Sequence, residues 1–89
     1  MSLSKIRDLI QTTDHSRLAA AFFNETWRLL NLTQRSAEQD VQMIHCAHAS
    51  RMHWELVGDA RNHAVGEWQI ARVYSVLQFP QPALYHANA

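Results

Sequence analysis

Six histidines in 89 residues, at positions 15, 45, 48, 53, 63 and 86, make metal binding the first chemistry to weigh. His45 and His48 are three apart, so on a helix their imidazoles rise from adjacent turns of one face and can meet a single ion. His53 cannot join them, because at about 100° per residue it stands about 80° from His45 and about 140° from His48. A third ligand must come from another helix, with Glu25 or Glu67 as the suppliers. The paired Glu-x-x-His signature of di-iron bundles is missing: three residues after Glu25, Glu38, Glu55 and Glu67 stand Arg28, Val41, Gly58 and Ile70. His45, His48 and Glu67 are therefore the candidate metal ligands, set against histidines that merely pack or face water. The expectation is no metal and no cofactor.

Cys46 is the only cysteine, so one chain can build neither an internal disulfide nor a multi-thiolate zinc site. A nucleophilic thiol needs a base within reach and an electropositive, partly open setting. Neither is visible around Cys46, which reads as a small residue that lets helices approach. No glycine-rich phosphate loop, serine nucleophile elbow or paired-carboxylate spacing occurs, and no catalytic residue is expected. Glu67 stands out differently. It falls on the strip Ala60, Ala64, Glu67, Ala71, Tyr74, where a carboxylate needs a charged or hydrogen-bonding partner, such as His63 or an arginine of the preceding helices. Trp68 and Arg72, one turn apart, are spaced to stack as cation over ring. Trp27, Trp54 and Trp68 suit a core, although aromatic and arginine anchors also favour interfaces.

Helices must position all of these. With two glycines, two prolines and no alternating run of β-branched residues, the chain reads as all-α. A short lead over residues 4–11 carries Ile6, Leu9 and Ile10, and Asp14 then caps a helix over residues 15–32. Its broad apolar face comprises Leu18, Phe22 and Leu29 beside Ala19, Phe23, Trp27 and Leu30. Ser36 followed by Gln39 is a capping box opening a helix over residues 37–57, with Val41, Ile44, His48 and Met52 on one strip and Met43, Ala47, Ser50, Trp54 and Val57 on the next. Gly58 is expected to close it in the left-handed conformation. Asp59 caps a helix over residues 60–78, Pro80 and Pro82 end it, and Pro82 suits the first turn of a last helix over residues 82–89. Two turns are not stable alone in water. Either the natural chain continues past Ala89 or a second protomer covers this edge.

Length and charge narrow the function classes. A 10.3 kDa chain is one domain, residues 1–89, and buries only roughly 60% of its unfolded surface. Lysine and arginine (8) balance aspartate and glutamate (8), and the arginines are scattered singly, so no basic stripe exists to hold nucleic acid or anionic lipid. A helix-turn-helix regulator is disfavoured on the same ground. The apolar stretches are too short to span a membrane, no secretory leader is evident, and a cytoplasmic location is expected.

Ala71 with Tyr74 three later, the break from Gln78 to Pro80, then Ala83 and Ala87, resemble the tetratricopeptide repeat, in which a small residue and an aromatic let one helix turn sharply onto a second. Gln78 stands where that family usually has glycine, and Trp68 is one place from the family's tryptophan. The segment from Gly66 to Tyr74 also resembles small uncharacterised bacterial helical proteins. What the first resemblance implies is a scaffold of antiparallel helical hairpins, an α-α superhelix or a four-helix bundle. The expected function is a protein-protein interaction or self-association module, with a homodimer formed through the last two helices and Trp68, Arg72, Tyr74 and Leu84 as its contact residues. The alternative is a small-molecule or metal-binding bundle using His45, His48 and Glu67.

Overall fold

The computed structural model describes residues 12–89, and the lead over residues 4–11 lies outside them. Four helices follow: α1 (Thr12–Leu30), α2 (Ala37–Val57), α3 (Ala60–Val76) and α4 (Pro80–Ala87). The all-α expectation holds among the described residues. Side-chain pairs fix the helix directions. His15 near the start of α1 meets His53 near the end of α2, Arg51 of α2 meets Glu67 of α3, and Glu67 in turn meets His86 of α4. Each helix thus runs antiparallel to the one before, in chain order, and α4 packs chiefly on α3.

The starts of α2 and α3 are built as the side chains dictate. Ser36 Oγ accepts from the Gln39 amide while Gln39 Oε1 accepts from the Ser36 amide, and Asp59 and Asn62 repeat the arrangement. Arg35 closes α1: its NH1 donates to the carbonyls of Leu29 and Leu32, and its Nε holds Asp40 at 2.8 Å.

Several boundaries and caps differ from expectation. Asp14 lies inside the first turn of α1 rather than ahead of it, which still places a negative charge at the positive helix end. Gly58 is extended (φ −87°, ψ 174°), not left-handed. It is needed for room: a Cβ there would lie 2.7 Å from the Trp54 carbonyl oxygen and 2.9 Å from Asn62 Cβ. The left-handed residue is Gln78 (φ 65°), at the turn into α4. α4 also begins two residues early, with Pro80 in its first turn, where a missing amide costs nothing.

The core is Leu29, Met43, Ala47, Ile70 and Val73, with Leu30, Leu32, Ile44, Tyr74 and Leu77 packed against it. On α1 the buried stripe is His15, Ala19, Thr26 and Leu29, so Leu18 sits at its edge, 36% exposed. Val41 and Met52, expected on a packed strip of α2, are exposed. Polar residues take their places. Thr26 and Ser50 are fully buried, and their hydroxyls donate to the carbonyls of Phe22 and Ala19. Ser50 thereby lets α1 and α2 approach closely.

Candidate functional site

The charged residue that looked out of place on α3 is the centre of a polar cluster joining three helices. Glu67 Oε1 accepts from Arg51 Nε at 3.0 Å, and Glu67 Oε2 pairs with His86 Nδ1 at 2.5 Å. Arg51 reaches across because Gly66 leaves space: a Cβ at that position would stand 2.9 Å from Arg51 Cδ. The other face of the guanidinium holds Glu55 at 2.8 Å. His63, expected near Glu67, instead donates from Nε2 to the Trp54 carbonyl at 2.8 Å.

His86 lies flat on Tyr74, with ring centroids 5.8 Å apart and planes 18° from parallel, and stands edge-on to His48 at 5.4 Å. His48 Nε2 and the Tyr74 hydroxyl share a 2.8 Å hydrogen bond. Burial, then the neighbouring His86, depress the pKa of His48 against the pull of Glu67, so it is neutral at pH 7. Arg51, Glu67 and His86 each have a partner, and the Tyr74 hydroxyl is engaged by His48. Chemically it is a clasp that pins α4 to α3 and α2.

The proposed metal ligands are not brought together. His45 is exposed on α2, His48 is committed to Tyr74, and Glu67 is held between Arg51 and His86. Among the described residues no three of His, Cys, Asp and Glu converge to hold an ion. Cys46 is buried, and burial raises its thiol pKa, so it stays protonated at neutral pH.

The interaction candidates divide. Trp68 is 55% exposed and leans on Trp27 at 5.5 Å, so its aromatic partner comes from α1, not from stacking with Arg72. Arg72 is exposed, and Leu84 is 64% exposed. Tyr74, in contrast, is partly buried, packs against the core and bonds His48. Sequence reasoning missed Tyr85, 72% exposed beside Leu84, and Phe79 at the turn. The arginine expected from a preceding helix is Arg51, while His86 as the second partner of Glu67 was not foreseen. The one signal that pointed to them was the isolated carboxylate on an apolar strip.

Between α3 and α4 runs a groove with Ala71, Ser75, Ala83 and Ala87 along it and Trp68 and Leu84 on its margins. Two further groups on α1, α2 and α3 stand apart from it. His15 and His53 face each other through their Nδ1 atoms at 2.8 Å, and Gln69, fully buried, donates to the Phe23 carbonyl at 3.0 Å. No helix of the described residues is long and apolar enough to cross a membrane. Comparison with family models, with curated proteins and with solved structures finds no match to the chain.

Proposed function

We propose that this chain is a non-enzymatic helical interaction module that pairs with a second copy of itself through α3 and α4. The observation that carries the reading is that α4 buries none of its residues, while Leu84, Tyr85 and Trp68 present large apolar surface at 64%, 72% and 55% exposure. Single exposed hydrophobes need no explanation, but a contiguous set beside a groove of small side chains is what association surfaces offer. A two-fold interface requires both halves of a fit on one surface. Here Leu84 and Trp68 are the protrusions, and the Ala71, Ala83, Ala87 strip is the receiving groove.

The tetratricopeptide resemblance supports the same reading, since hairpins of that kind bury their faces by stacking on a neighbour. A cytoplasmic location and the absence of catalysis and cofactor belong to this proposal. The alternative, a small-molecule or metal-binding bundle built on His45, His48 and Glu67, has less support because those side chains do not converge.

Sedimentation equilibrium at micromolar concentration tests the proposal. A dimer is expected for the native chain and a monomer of unchanged helicity for Leu84→Asp. A native monomer over the whole concentration range refutes it.

A further inference from the structure

A second concavity lies where α1 passes the end of α2 and the start of α3. Ala20 and Phe23 of α1, Trp54 of α2 and Val65 of α3 form its apolar walls, and Asn24, Arg61 and Asn62 its rim. Its volume is about 200 Å³, room for a fragment-sized group rather than a nucleotide or flavin. The two-residue link Gly58–Asp59 joins the last turn of α2 to the first turn of α3, and Trp54, Arg61 and Asn62 from either side of it line the concavity.

The rim offers hydrogen-bond donors and no carboxylate. Arg28, Arg35 and Arg51 are each paired with an acidic side chain, whereas Arg61 makes no ion pair among the described residues. The capping box fixes Asn62 in one orientation: its Oδ1 accepts the Asp59 amide, so its Nδ2 amide hydrogens remain to donate. Asp59, the nearest acid in sequence, spends its carboxylate on the Asn62 amide.

From this arrangement we infer that the concavity binds a small aromatic monocarboxylate, its ring between Phe23 and Trp54 and its carboxylate on Arg61 and the Asn62 amide. Guanidinium and carboxylate match as a two-pronged pair, and flat aromatic walls take a flat ring. The site shares no residue with the α3–α4 groove, so it stands or falls separately from self-association.

The test is an NMR titration of the full chain with 3-phenylpropionate and, in parallel, its neutral amide. Saturable shifts are expected at Trp54, Asn62 and Val65, with the acid binding about tenfold tighter than the amide, the ratio set by one charge-assisted hydrogen bond. Arg61→Gln, an exposed substitution, is expected to erase that ratio, and Ala20→Phe to abolish binding by filling the space. Equal affinity for acid and amide, shifts confined to Trp68 and Leu84, binding that survives Ala20→Phe, or no saturable shift with the native chain each overturns the inference.

Discussion

The His15–His53 contact provides a quantitative test of how α1 is held to α2. Two Nδ1 atoms 2.8 Å apart can share only one proton, so one ring must donate and the other accept. His15 is fully buried and its Nε2 finds no partner among the described residues, whereas His53 retains 8% exposure. The arrangement that buries the fewest unpaired donors has His15 Nδ1–H donating to His53 Nδ1, leaving His15 Nε2 as a bare acceptor. Phe22 lies parallel to His53 at 6.1 Å and excludes water from one side.

Changing either histidine alone to phenylalanine removes the bond and strands the other ring's Nδ1 in a dry site, at a cost of about 1–3 kcal/mol. At about 2 kcal/mol, a domain of this size loses roughly 8–16 °C in Tm. Replacing both with phenylalanine removes the polar pair altogether and is expected to recover most of that loss. The double variant should therefore be more stable than the sum of the two single variants predicts, by about 3–4 kcal/mol.

The pH dependence follows from the same contact. His53 is held below its ordinary value of 6.5, first by burial and then by the His15 imidazole beside it. A base whose folded-state pKa is depressed takes up its proton more readily in the unfolded chain. Its contribution to stability is thus complete above about pH 6.5 and is lost as the pH falls toward the folded value. His48 acts in the same direction. Thermal melts between pH 7.5 and 5.5, a range in which carboxylates stay ionised, should show falling Tm for the native chain and a shallower slope for His15→Phe/His53→Phe. Additive single-variant losses, or a native Tm that rises on acidification, would refute the shared-proton account.

Other expectations follow from individual contacts. Glu67→Gln should destabilise by about 1–3 kcal/mol in denaturant melts, because Arg51 loses its less exposed partner, and His86→Ala should add little in that background. Gly66→Ala should fail to deliver the usual gain of about 1 kcal/mol for a helix interior, since the new methyl displaces Arg51; a full gain would mean that Arg51 moves freely. Gln69→Leu should be close to neutral by urea titration, because it gives up the Nε2 bond to the Phe23 carbonyl but removes an Oε1 that is buried without a partner among the described residues; a loss above about 2 kcal/mol would contradict this balance. Ser36→Ala should cost about 1 kcal/mol through loss of the α2 cap, read from the same titration.

What the sequence disclosed and what it withheld divide along a physical line. The capping box at Ser36 and the cap at Asp59 are local, closed within four residues, and so were readable, as was the all-α architecture from periodicity and the scarcity of glycine and proline. The burial of His15, Thr26, His53 and Gln69 was not, because a pattern that counts apolar residues assigns polar ones to solvent, and the partners of His15, His53 and Gln69 lie up to 46 residues away. Gly58 and Gln78 illustrate the same limit from the backbone side: turn chemistry favoured glycine for the left-handed position, yet packing against Trp54 and Asn62 kept Gly58 extended. Glu67 lies between these cases. Its place on an apolar strip announced that a partner was required, but only the crossing of α2 over Gly66 and the return of α4 supply Arg51 and His86. The clasp so formed is what holds α4 in place while its outer face stays bare. If α4 were packed by its own apolar side chains, Leu84 and Tyr85 would have to turn inward and the receiving groove would close. Anchoring through a carboxylate and two imidazoles instead leaves every large apolar residue of that helix facing outward, which is the arrangement the proposed self-association requires.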